Sequence, residues 1–190
     1  MVEPALAVLE YGSIAIGTRA GDAVVKKASI ATYRAGTIHP GHFLIVIGGS
    51  EGDVRESYQE GIRVGGDAVL DSVFLPDAHA AVQAAVAGKR SAPSGETLGV
   101  VETATVSATV HAADRAVKGA AITIREIRLG DGLGGKGILH LDGELPDVQA
   151  AIALASDVIV PRNIEHRTTI IPAAHPLVMG ELHEASRFNR

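Results

Sequence analysis

The chain repeats itself, and this constrains its fold more than any other feature. Leu6-Ala-Val-Leu-Glu10 resembles Leu98-Gly-Val-Val-Glu102, at an offset of 92 residues. The same offset pairs Asp22 with Asp114, Val25 with Val117, Lys26 with Lys118, Ala28 with Ala120 and Ile30 with Ile122. Further on, Gly49, Asp53 and Val54 pair with Gly143, Asp147 and Val148 at an offset of 94. Pro76-Asp-Ala-His79 then pairs with Pro172-Ala-Ala-His175 at an offset of 96. The register moves by two residues twice and never reverses. That is the mark of a duplication with two short insertions, around 37–48 and 61–72 of the first copy. Chance matching in Ala- and Val-rich sequence explains the apolar pairs. It does not explain ordered matches of Asp, Lys, Pro and His. The chain therefore divides into a first domain over 1–90 and a second over 95–190. Between them, Gly88-Lys-Arg-Ser-Ala-Pro-Ser-Gly95 reads as an exposed linker.

Composition narrows the function. Of 190 residues, 46% are hydrophobic but only 3% aromatic, so both cores must be built from Ala, Val, Leu and Ile. Such cores are thin, and subunit contacts can complete them. The formal net charge of -5 and the lack of a basic block argue against nucleic acid. With zero cysteines there is no disulfide, thiolate zinc site or cysteine-held iron–sulfur cluster; no cofactor is expected. Met1 to Glu10 has no basic region of a signal peptide, and no apolar run reaches the ~20 residues of a membrane span. The expectation is a soluble cytoplasmic chain.

Each copy reads in the order β-α-β-β-α-β-α. In the first, the pattern predicts a strand over 5–16, a helix over 18–28 and a strand over 30–34. A turn follows over 36–41, then a buried strand over 43–47 and a helix over 53–64. A strand over 68–75 and a short helix over 79–87 close the copy. This order predicts an α+β fold, an antiparallel sheet with helices on one face.

Three motifs invite a chemical reading. Gly48-Gly-Ser50-Glu-Gly52 matches the nucleophile elbow G-x-S-x-G, but the second copy has no serine there, and the turn reads better as a helix start capped by Ser50 or Asp53. Gly130-Asp-Gly132-Leu-Gly-Gly135 matches G-x-G-x-x-G, but a strand-like run follows it where a dinucleotide site needs a helix. His39-Pro-Gly-His42 places two imidazoles close together without the further ligands a metal needs. The Gly-rich loops 36–42 and 130–137 fall at the same place in the repeat, between the second and third strands. One loop type with one structural role accounts for both.

Leu98-Gly-Val-Val-Glu-Thr103 followed by Ala113-Asp-Arg-Ala-Val-Lys-Gly-Ala-Ala121 resembles the opening of a bacterial microcompartment (BMC) shell domain. Leu6 to Glu10 and Gly21-Asp-Ala-Val-Val-Lys-Lys-Ala28 repeat that signature. The resemblance covers nearly all of both copies. The strand ending in Glu opens each one, so the domains look unpermuted. The resemblance implies a homotrimer in which six domains surround a central pore, joined edge to edge with other shell proteins around enzymes. It implies no catalytic residues and no metal. It assigns the pore lining to Ile38, His39, Pro40 and Gly41 of the first copy and Leu133, Gly134, Gly135 and Lys136 of the second. It assigns contacts at the tile edge to Lys26, Lys118, His79 and His175. Neither pore loop carries the family's Gly-Ser-Gly triplet. With His39 and Lys136 near the axis, the expected pore favours anionic or polar metabolites. The alternative is a trimeric regulator that binds a phosphate or nucleotide on its Gly loops; a hydrolase would rest on Ser50 alone.

Overall fold

Each copy closes its own four-stranded antiparallel sheet, and the computed structural model of the chain describes residues 4–184 of both. The first copy comprises β1 (Ala5–Tyr11), α1 (Ile14–Lys27), β2 (Thr32–Ile38), β3 (His42–Gly49), α2 (Glu51–Gly65), β4 (Val69–Leu75) and α3 (Ala80–Val86). The second comprises β5 (Thr97–Thr103), α4 (Val106–Gly119), β6 (Ile122–Leu129), β7 (Gly137–Gly143), α5 (Leu145–Ile159), β8 (His166–Ile171) and α6 (Pro176–Glu184). The strand orders are β2-β3-β1-β4 and β6-β7-β5-β8, so the two sheets have one topology. The α+β class and the element order are as expected. The outer ends of the two expected domains, residues 1–3 and 185–190, lie outside the described residues.

Two strands differ most from the sequence reading, β1 at its end and β2 at both ends. The first strand stops at Tyr11, not Ile16, because Ser13 caps the next helix: its hydroxyl accepts the Ile16 N–H at 3.3 Å. Thr105 caps α4 in the same way through the Ala108 N–H. The second strand runs over 32–38 rather than 30–34. Thr37 and Ile38 pair with Phe43 and His42, so the loop shrinks to three residues, 39–41. Both insertions lie in the second copy. The first lengthens the β6–β7 loop to 130–136. The second follows the 3-10 turn Val160–Arg162, where Asn163 takes the left-handed conformation (φ 54°).

The core grows from strand alternation. Ala7, Leu9, Tyr11, Ile45 and Ile47 face α1 and α2, against Ala20, Val24 and Val54. Leu6, Val8, Leu44, Val46, Val73 and Leu75 point the other way. They join α3 and the second copy's Val106, Val110, Ile127, Leu139 and Leu141 in one continuous apolar cluster. The back of the first sheet is thus closed by the second copy.

That packing makes the copies unequal. In α4, nine of the fourteen residues are buried; in its repeat counterpart α1, four of fourteen are. β6 has a mixed, half-covered pattern, whereas β2 is exposed at every residue but Ile38. α3 buries Val82, Ala85 and Val86. Its counterpart α6 leaves Leu177 74% and Val178 46% exposed. The linker is largely exposed but tied down. The Ser94 hydroxyl donates to Asp142 (2.7 Å), and Asp142 is paired with Arg125 (2.7 Å) inside the protein. No helix of the described residues is long and apolar enough to cross a membrane.

Candidate functional site

Two features face each other where the copies meet: a polar seam and a pair of loops. The seam begins at Glu10, the last but one residue of β1. It is completely buried, and its Oε2 accepts the Val106 N–H at 2.9 Å, so it caps the first turn of α4 from the other copy. His42 Nδ1 stands 3.3 Å from its Oε1. Burial pushes the Glu10 carboxyl above its usual range, the Val106 N–H and His42 pull it back, and Asp71 pushes it further up. Beside it, Asp71 accepts from the Thr105 hydroxyl and from Arg162, and Arg162 also reaches the Ser72 carbonyl (3.0 Å). His111, on α4 nearby, is held below the usual imidazole range by burial and then by Arg162.

At the far end of α4, Lys118 donates to the Asp77 carbonyl of the first copy and to its own helix's Asp114 (2.6 Å). Asp114 accepts the His79 N–H at 2.8 Å. Of the four expected edge residues, the structure therefore brings Lys118 and His79 together across the seam. Lys26 sits at the matching place on α1, bonded to Asp22 (2.7 Å) and 71% exposed. His175 caps α6 through the Leu177 N–H (3.2 Å).

The two Gly-rich loops also touch. The Gly132 N–H donates to His39 Nδ1 (3.2 Å), and Asp131 stands 3.3 Å from the same nitrogen. The Gly135 backbone lies against the His39 carbonyl and Pro40, so closely that a Cβ there would come within 3.2 Å of the oxygen. The His39–Pro40 peptide is cis. Ile38 is 9% exposed and packs over Gly130, and Gly135 is buried. These two back the loops. His39, Pro40, Gly41, Leu133, Gly134 and Lys136 form the outward part. Lys136 is paired with Glu102 at 2.6 Å. Asp131 beside His39 and Glu102 beside Lys136 bring negative charge to both loops, which weakens the expected preference for anions.

The other motifs resolve into local structure. Ser50 caps α2: its oxygen accepts the Asp53 N–H (3.3 Å) and its hydroxyl donates to the Asp53 carboxylate (2.6 Å). The G-x-G-x-x-G loop runs into β7, not a helix, and its Gly132 N–H and Lys136 ammonium already serve His39 and Glu102. Among the described residues no group of three or more His, Cys, Asp or Glu is placed to hold a metal. Two cavities stand out, the first between the copies and the second within the second copy alone. One of about 440 Å³ is lined by residues of β2, β3, the end of α3 and β6, including Arg34, Arg90 and Glu126. One of about 160 Å³ lies at the end of β5, among Glu102, Thr103, Lys136, His166 and Arg167.

Sequence reasoning matched Glu10 with Glu102 but gave neither a role. A carboxylate at the end of an otherwise apolar buried strand, present in both copies, was the available signal. Asp71 and Arg162 carry no such signal, because their partnership spans 91 residues.

The BMC domain family matches residues 5–78 and again 97–174. The bacterial microcompartment shell protein PduT of Citrobacter freundii is 36% identical over 180 residues, which covers 95% of this chain and 98% of that one. A crystal structure of a microcompartment protein from Desulfitobacterium hafniense superimposes with a TM-score of 0.81 at 29% identity, over 93% of this chain and 98% of that one. The fused permuted hexameric shell protein MSM0275 of the RMM microcompartment shares the fold at a TM-score of 0.59 and 23% identity, over 83% of this chain and 84% of that one.

Proposed function

The chain belongs to the BMC domain family, and from that membership we propose that it is a structural shell subunit of a bacterial microcompartment, a two-domain tile and not an enzyme. One observation carries the reading beyond membership: the unequal burial of the copies. The seam inside the chain joins β4 and α3 of the first domain to α4 and β6 of the second. Each of their counterparts, β8, α6, α1 and β2, leaves a face exposed. Those faces are two halves of a second seam. A head-to-tail contact between copies completes it, and such contacts generate rings when the rotation closes. Three chains then place six domains around one axis, as the family resemblance implies.

In that ring, His39, Pro40 and Gly41 alternate with Leu133, Gly134 and Lys136 around a pore through which small metabolites pass, with Ile38 and Gly135 as its backing. Lys26, Lys118, His79 and His175 lie where a seam meets the rim and serve contacts with neighbouring tiles and other shell proteins. Lys118 keeps part of its side chain exposed for this while its ammonium holds the seam. The tile belongs to the shell, within the bacterial cytoplasm.

Native mass spectrometry of the purified chain tests the ring: the expected mass is three chains. Electron microscopy of the overexpressed protein tests the tile, with sheets or tubes expected. A chain that stays monomeric at tens of micromolar overturns the reading. The runner-up regulator requires a rise in melting temperature on adding a nucleotide or inorganic phosphate; none is expected.

A further inference from the structure

We propose that the cavity at the end of β5 is the socket for the first turn of α1 of a second copy of this chain, with Glu102 as the acceptor that caps the incoming helix. The inference rests on the trimeric reading and assigns the contact residues of its seam.

The chain's own seam supplies the pattern. Glu10 uses both carboxylate oxygens: His42 stands by Oε1, and the Val106 N–H of α4 binds Oε2. Strand register makes Glu102 the counterpart of Glu10, because the two face Asp71 and Arg167 at the same place in their sheets. Register likewise makes Lys136 the counterpart of His42, since β3 and β7 pair with β1 and β5 at an offset of 94. Lys136 binds Oε1 of Glu102 at 2.6 Å, as His42 approaches Oε1 of Glu10. In the first copy, a turn of helix fills the space beyond the carboxylate. In the second, the same space is the 160 Å³ cavity bounded by Glu102, Thr103, Lys136, His166 and Arg167.

The missing occupant is identified by the repeat. Ile14 stands where Val106 stands, each the first residue of its helix, and Ser13 and Thr105 are the corresponding caps. Val106 is fully buried in the seam, whereas Ile14 is 42% exposed. α1 cannot reach the second copy's socket as α4 reaches the first's without leaving its own sheet, against which Val24 and Ala20 are fully buried. The N-terminus of α1 therefore enters the socket of another copy. There the Ile14 N–H meets Glu102, and Ser13 meets Arg167, which replaces the Asp71 that receives Thr105 in the internal seam.

The chain has no cysteine, so an engineered pair reports this contact alone. Ser13→Cys with Arg167→Cys, treated with a short bis-methanethiosulfonate linker, should give a covalent three-chain species on a denaturing gel, and neither single variant should. A three-chain mass in native spectra of the untreated protein without that covalent product overturns the socket and leaves the tile reading standing. A monomeric unmodified chain overturns both. Glu102→Ala keeps the proposal open to test if the double variant fails to fold. It should raise the dissociation constant of the trimer about tenfold while the melting temperature of the dilute monomer stays unchanged. An unchanged constant overturns the cap.

Discussion

At the scale of single residues, Glu10 joins stability to assembly geometry. A carboxylate with no exposure is costly unless its oxygens are bonded, and here one oxygen caps a helix of the other copy. Its folded form still holds a proton more tightly than the unfolded chain does, because burial outweighs the groups that favour ionisation. The protons bound then set the sign. The stabilising contribution of Glu10 is fully present below its ordinary value near 4.5 and is lost as pH rises through its raised folded value. Glu10→Gln keeps an acceptor for Val106 and has nothing to titrate. The melting temperature of the Gln variant relative to the parent should therefore climb as pH rises from 4 through that window. A difference that is flat from pH 4 to 8 would show that Glu10 is not the titrating group. Exposed pairs such as Lys26–Asp22 or Arg55–Glu51 carry no comparable weight, since water screens both partners.

At the scale of elements, the β2–β3 and β6–β7 loops show how a repeat is turned to different ends. The first loop is three residues, the second seven, and they interlock through Ile38 and Gly130. Gly130 has φ +76°, and a Cβ there would sit 2.7 Å from Cδ1 of Ile38. Gly130→Ala should then cost about 1–3 kcal/mol, from the strained backbone together with displacement of a packed side chain. Gly132→Ala shares the positive φ of +71° but meets nothing within 4 Å, so it should cost clearly less. Chemical denaturation of the two variants measures the difference; equal losses would mean that Ile38 does not pack as described. The elements themselves were legible because the repeat supplies each pattern twice and both readings must agree. The equivalence of the two loops was legible for the same reason. The end of β1 was not, because Ile14 and Ile16 extend its apolar run, and only the capping by Ser13 shows that the helix has begun. The exposed edge strand β2 was placed too early, since Arg34, Gly36 and Thr37 give no alternation to follow. The place of His39 and Lys136 in the loops between the second and third strands was legible through the repeat. Their carboxylate neighbours Asp131 and Glu102 were not, because the bonds join positions 92 and 34 residues apart.

At the scale of the whole molecule, the governing fact is that one domain type is satisfied on a face where the other is bare. Apolar residues packed against the seam in the second copy have exposed counterparts in the first, and a monomer that leaves them so has surface for a partner of its own kind. Ile14 is the most informative position for testing this. Its counterpart Val106 is fully buried in the seam, so a charge at Ile14 should be unacceptable in the assembled ring. In the isolated chain the same charge is benign. Ile14 is the first residue of α1, whose opening turn carries no acidic residue, and an aspartate there complements the helix dipole. Ile14→Asp should therefore separate folding from assembly. The parent's melting temperature should rise with chain concentration, because association of the folded chain adds to its stability by mass action. The variant's should be equal to or slightly above the dilute parent's and independent of concentration, with a single-chain mass in native spectra. If Ile14→Asp still forms a three-chain species with a concentration-dependent transition, then α1 does not enter the seam between chains, and the bare face of the first domain must be closed by a different contact.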